Sequence, residues 1–132
     1  MAIERRQYPD IAPAGQTYSR GVKADNLLFI SGCTARGTEA QGKGLMEQLQ
    51  VTLERVTGVV KAEGGTPGHI VKITTLVNSI ADWQANPEEQ HALFARYFEE
   101  LYSANPLIEI TALAEPGLDV EIEAIAVLPE LA

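Results

Sequence analysis

The sequence predicts a two-layer α+β domain with the element order β-β-α-β-α-β-β. Three observations carry that reading. Two segments, over 45–62 and 87–101, repeat apolar residues at helical spacing. Five short runs are rich in β-branched or large apolar residues, and the last alternates cleanly with carboxylates. The length of 132 residues, 45% of them hydrophobic, suits one domain over 1–132, with no repeat, low-complexity tract or linker.

The segment from Tyr8 to Gln16 is rich in Pro, Ala and Gly and reads as an extended lead-in. Strands follow over 18–23 and 27–31, with Ala24-Asp25-Asn26 as a short hairpin connection and Gly32 ending the second. A polar loop covers 34–42. Leu45, Leu49, Leu53, Val56 and Val60 then form one stripe of a helix, off which Gln48, Thr52 and Arg55 fall; Gly64-Gly65 stops it. Residues 70–77 read as a strand.

The second helix opens on Asn86 as N-cap and Pro87 at the first helical position, with Glu88 and Glu89 at the positive end of its dipole. Leu93, Phe94, Tyr97, Phe98 and Leu101 supply its buried face, and Trp83 and Asp82 cover its start. Strands over 107–113 and 120–128, joined by a turn at Glu115-Pro116-Gly117, close the chain. Both helices are expected on one face of the sheet. The other face, where Val120-Glu121-Ile122-Glu123 alternates, is then a candidate for subunit packing.

Composition narrows the function. A net charge of −8 with scattered basic residues disfavours nucleic-acid binding. The single cysteine, Cys33, cannot staple the chain. Neither a signal peptide nor an apolar run of spanning length stands out, so the expected location is cytoplasmic, away from membrane. His69 and His91 lack metal-ligand spacing, and there is no phosphate loop, dinucleotide fingerprint or nucleophile elbow, so no metal and no cofactor are expected. On spacing alone Glu121 is a solvated carboxylate, Tyr18 a half-buried strand aromatic, Cys33 a small buried residue, and Asn105 a turn residue before Pro106.

Three stretches together resemble the Rid (YjgF/YER057c/UK114) family. Tyr18-Ser19-Arg20-Gly21-Val22 with Phe29-Ile30-Ser31-Gly32 resembles its N-terminal hairpin. Val71-Lys72-Ile73-Thr74-Thr75 resembles its central strand, and Val120-Glu121-Ile122-Glu123-Ala124-Ile125-Ala126 its C-terminal signature. The resemblance covers nearly the whole chain. It implies a chorismate-mutase-like fold and a homotrimer, with a central β-barrel, helices outside and small-molecule clefts between subunits. It also implies hydrolytic deamination of reactive enamines and imines by an activated water. On this resemblance Glu121 positions the water, Tyr18 belongs to the cleft, and the backbone of Gly32 lines it. The deaminase branch carries Pro-Ala-Arg before its fifth strand, the arginine gripping a substrate carboxylate; here the residues are Ser103-Ala104-Asn105-Pro106. Asn105 offers an amide without charge or the bidentate fork. Asn105 is therefore a candidate specificity residue, and Leu107 a candidate for substrate binding. Cys33, where glutamine is frequent, and Arg36, a replacement carboxylate clamp, are further substrate-binding candidates. One arginine-lacking relative is 2-aminomuconate deaminase. The alternative function is a non-catalytic ligand-binding or regulatory trimer. Ribonuclease activity, also attached to the family, fits poorly with the acidic charge.

Overall fold

The computed structural model describes residues 2–129, so Met1 and 130–132 of the expected domain lie outside the described residues. Six strands form one sheet in the order β1-β2-β3-β6-β4-β5: β1 Ile3–Arg6, β2 Gly21–Ala24, β3 Leu27–Cys33, β4 Ile70–Val77, β5 Leu107–Glu109 and β6 Val120–Val127. The helices are α1 Leu45–Ala62, α2 Ile80–Ala85 and α3 Pro87–Phe98. A 3-10 turn, Pro67–His69, precedes β4. Helix α1 packs on β3 and β6, and α3 packs on α1, so the helices form one layer beside the sheet.

The core lies between those layers. Leu28, Ile30, Ile70, Ile73, Val77, Val120 and Ile122 face Leu49, Leu53, Val56 and Val60 of α1, all nearly inaccessible. Alternation along β6 sends Val120, Ile122, Ala124 and Ala126 into this core and Glu121, Glu123, Ile125 and Val127 to the opposite face. On that opposite face Phe29 pairs with Ile125 and Leu27 with Val127. Leu27 and Phe29 remain 38% and 42% exposed, so the face is apolar and uncovered within one chain.

The structure departs from the sequence reading in several elements. Strand β1 is an addition: its Ile3-Glu4-Arg5-Arg6 shows no apolar alternation and is wholly exposed, held through pairing with β2. Residues 18–20 precede β2 rather than opening it, because Gln7 binds the backbone of Gly15, Tyr18 and Arg20 and bends the chain there. Trp83 belongs to a separate short helix, α2, capped by Ser79, whose hydroxyl accepts from the Asp82 amide. Leu101 lies beyond α3 and is 62% exposed. The pairing of the last two strands also differs. β5 is shorter than expected and runs parallel to β4 through the α2–α3 crossover, while β6 sits between β3 and β4. The 110–119 segment is thus a long connection, not a hairpin turn.

Gln48 and Thr52, which fall off the apolar stripe, are fully buried. Gln48 is there for its amide: Nε2 donates to Gly117 O at 2.7 Å and Asp119 Oδ2 at 3.1 Å, and Oε1 accepts from the Asp119 amide at 2.7 Å. It pins the 110–119 connection to α1. Gln48→Leu keeps the volume but strands that amide and carbonyl, so an equilibrium denaturation midpoint should register a loss of about 2–4 kcal/mol, from ~1–3 per orphaned group partly offset by apolar burial. An unchanged midpoint would mean that water satisfies both groups.

Candidate functional site

A cleft of about 360 Å³ opens where the end of β3, Arg55 of α1 and the 110–119 connection meet β6. Its chemistry is set by Glu121 and three arginines, Arg20, Arg36 and Arg55, with Tyr18 and Gly32 beside them. Pairing between β3 and β6 is irregular between Ile30 and Cys33. That irregularity frees Ser31 and Gly32 from the regular ladder next to Glu121.

Glu121 lies directly over Gly32. A Cβ at Gly32 would fall 2.6 Å from Glu121 Cδ and 2.8 Å from Oε2, inside contact distance. Any side chain here would displace the Glu121 carboxyl from its place; backbone angle makes no demand for glycine. Burial first, and the neighbouring Glu123 carboxylate second, push Glu121 above the ordinary carboxylate range, while Arg20 pulls it back.

Arg20 is only 3% exposed. Its Nη1 donates to Gly32 O at 2.7 Å; its Nη2 donates to Pro13 O at 2.9 Å and Tyr18 Oη at 3.0 Å. The guanidinium also stands 5.3 Å from the centre of the Tyr18 ring. Tyr18 itself is 42% exposed, so its ring borders the opening with the hydroxyl anchored inward.

Arg55 reaches across from α1, donating from Nη1 to Thr34 O at 2.7 Å and Arg36 O at 3.0 Å. Burial is the largest influence on Arg55 and weakens its hold on its proton; Cys33 opposes this, and the Arg20 and Arg36 charges add to it. Arg36 approaches Glu115 at 3.5 Å from the facing connection.

Of the candidates read from sequence, Glu121, Tyr18, Gly32 and Arg36 come together in this cleft. Asn105 and Leu107 do not. They border a different cavity of about 460 Å³ on the helix side, with Trp83, Phe94, Phe98 and Tyr102. Asn105 Oδ1 accepts the Thr75 hydroxyl at 2.8 Å. Cys33 belongs to the core, 1% exposed, and burial raises its thiol above the ordinary value, leaving it protonated rather than a nucleophile. His69 acts locally, its Nδ1 accepting from the Thr66 amide at 2.8 Å and capping the 3-10 turn. Among the described residues no group of three or more His, Cys, Asp or Glu could hold a metal ion. Nor, among them, is any helix long and apolar enough to cross a membrane.

Sequence reasoning missed Arg20 and Arg55. Arg20 stands inside the Tyr18-Ser19-Arg20-Gly21 stretch. Arg55 signalled itself only as a charge off the apolar stripe of α1, a position that ordinarily faces solvent.

Residues 10–128 match the family model described as Endoribonuclease L-PSP. The chain belongs to this family, which is also the Rid or YjgF family. A goat (Capra hircus) relative, named 2-iminobutanoate/2-iminopropanoate deaminase, is 32% identical over 114 residues, covering 83% of this chain and 79% of its own. The crystal structure of RidA from an Antarctic Psychrobacter superposes with a TM-score of 0.79 at 26% identity, covering 95% of this chain and all of that one. A Mycobacterium tuberculosis protein of the YjgF/YER057c/UK114 family gives a TM-score of 0.77 at 26% identity, covering 96% of this chain and 100% of its own. The Rid fold, one mixed sheet with its helices on one side, is therefore the frame in which the Glu121 cleft sits.

Proposed function

We propose that this Rid protein hydrolyses a small enamine or imine, releasing ammonia, with Glu121 as the base that holds and deprotonates the attacking water. The observation that carries this is the Glu121 carboxylate itself, packed on Gly32 at the edge of an arginine-lined cleft with its ionisation pushed toward neutrality. The relationship to a protein named for imine deamination supports the same chemistry.

The reaction balances simply. Glu121 takes a proton from water as the hydroxide oxygen adds to the carbon of the protonated C=N bond. The proton on Glu121 then passes to the nitrogen; as the C–N bond breaks and ammonia leaves, Glu121 takes the hydroxyl proton and returns it to solvent, and a carbonyl compound remains. An enamine first becomes the imine by protonation on carbon. Tyr18 and the Gly32 backbone orient the substrate, and Arg20 holds both through its hydrogen bonds.

Only ionised Glu121 can accept a proton. Its pKa is raised, so kcat/KM should fall with falling pH through a midpoint above the ordinary carboxylate value of about 4.3. The measurement is ammonia release across pH 4 to 8 with each imine generated in the cuvette. A flat profile would remove Glu121 from the role of base.

The unit of function in this proposal is a homotrimer. Supporting it are the uncovered apolar face at Leu27, Phe29, Ile125 and Val127 and the alternation that creates it. The intersubunit clefts that the family resemblance implies would bring the Asn105 and Leu107 edge of one subunit to the Glu121 cleft of the next. Sedimentation equilibrium at micromolar concentration should return the trimer mass; monomer alone would contradict this arrangement.

A second reading, a ligand-binding protein without turnover, is favoured by one observation: Asn105 is uncharged and its Oδ1 accepts the Thr75 hydroxyl, so it meets an acid group with amide N–H alone and no charge. It predicts binding without ammonia release. Ribonuclease activity is disfavoured by the net charge of −8, which supplies no basic groove for RNA.

A further inference from the structure

Ten basic residues occur in the whole chain, and three of them line the Glu121 cleft. The Glu121 and Glu123 carboxylates line the same cleft, but among the described residues neither is within ion-pair distance of any of the three arginines. Among the described residues neither Arg20 nor Arg55 forms an ion pair, and the contact of Arg36 with Glu115 is long, at 3.5 Å, between two partly exposed side chains. Arg20 Nε is buried with no hydrogen-bond partner among them. Arg55 uses only Nη1, on the two backbone carbonyl groups; its Nε and Nη2 make no hydrogen bond among the described residues. Guanidiniums gathered in a partly desolvated cleft repel one another, and such an arrangement is costly until an anion completes it.

The three do not play the same part. Arg20 is committed to Pro13, Tyr18 and Gly32, and its charge acts on Glu121. Arg36 and Arg55 are bound together through the Arg36 carbonyl, and Arg55 holds the Thr34 carbonyl as well. Arg55 is held at one end by its two backbone acceptors, which fixes its planar fork in advance. A fixed fork beside a second guanidinium matches the two oxygens of a carboxylate.

We propose that Arg36 and Arg55 form a carboxylate clamp that grips the acid group of a ligand from this chain's own cleft wall, supplying the charge that Asn105 lacks. The identity of the bond broken rests on the deaminase reading above; the clamp itself does not. A substrate seated this way has its carboxylate on the arginines and its C=N carbon toward Glu121.

The test separates binding from turnover. Calorimetry is run with 2-oxobutanoate, the type of acid that imine hydrolysis would leave, and with its neutral carboxamide. Wild type and Glu121→Gln should both bind the acid, and the carboxamide should bind at least tenfold more weakly. Arg36→Gln and Arg55→Gln should each weaken acid binding by roughly ten- to a hundredfold, the range for losing a hydrogen bond to a charged group. Arg55→Lys should recover part of the loss by restoring charge without the fork. Because Arg55 also ties down the 34–36 backbone, Arg36→Gln carries the test should Arg55→Gln fail to fold. Equal binding of acid and carboxamide, no binding of the acid to folded wild type, or undiminished acid binding in Arg36→Gln would each overturn the clamp. Acid binding that depends on Arg36, in a wild type that releases no ammonia, would uphold the clamp and sink the deaminase reading instead.

Discussion

Glu121→Gln should lower ammonia release by about 10²–10⁴-fold, the usual contribution of a positioned general base. Glutamine keeps the shape that packs on Gly32, so the cleft persists and ligands still bind. It cannot take the proton, and the acid limb of the pH profile should vanish with it. Loss of stability cannot explain that result. The folded-state pKa of Glu121 is raised, so the folded chain binds its proton more tightly than the unfolded chain does. The stability tied to that proton is present below the unfolded value and disappears as pH rises through the folded one. At neutral pH the ionised carboxylate is thus a burden on the fold, and Glu121→Gln should melt at the same temperature as wild type or higher. Such a burden, retained at a cleft, is the pattern of a functional group. A variant that melts well below wild type would show that the carboxylate is structural.

Gly32→Ala should cost about a hundredfold or more in turnover, because the new methyl group occupies the space of the Glu121 carboxyl. Displacing a catalytic group by about 1 Å can cost on that order. The fold should lose about 1 kcal/mol or less, because the colliding group is the end of a flexible glutamate side chain that can swing aside. The double variant Gly32→Ala with Glu121→Ala removes the collision and should regain most of that stability without regaining activity. The two changes are therefore non-additive in stability, as expected for groups in direct contact. Additive losses would place the effect of Gly32 elsewhere in the cleft.

Much of this was legible in the sequence because the relevant signals are local. The stripe of α1, the Asn86-Pro87 start of α3 and the alternation of β6 each fix an element with a buried face, and all three occur where expected. Gly32 and Glu121 could be paired through family resemblance, and they do touch. What escaped depends on distant contacts. Strand β1 has no apolar pattern and is an edge strand held by backbone pairing. Buried Gln48 and Thr52 look polar and surface-like until the 110–119 connection is seen to fold back over Gln48. Arg55 and Arg20 are 35 residues apart in sequence and meet at one cleft only because α1 packs across β3. Asn105 shows the reverse: a position singled out by family comparison lies, within one chain, on the far side of the sheet from Glu121.

The most direct test of the central proposal is ammonia release by wild-type protein from freshly generated 2-iminobutanoate, followed against spontaneous hydrolysis in the same buffer at neutral pH. Hydrolysis well above the spontaneous rate, abolished to within a few per cent by Glu121→Gln, is the predicted result. Release at the spontaneous rate, or release that survives Glu121→Gln undiminished, would contradict it.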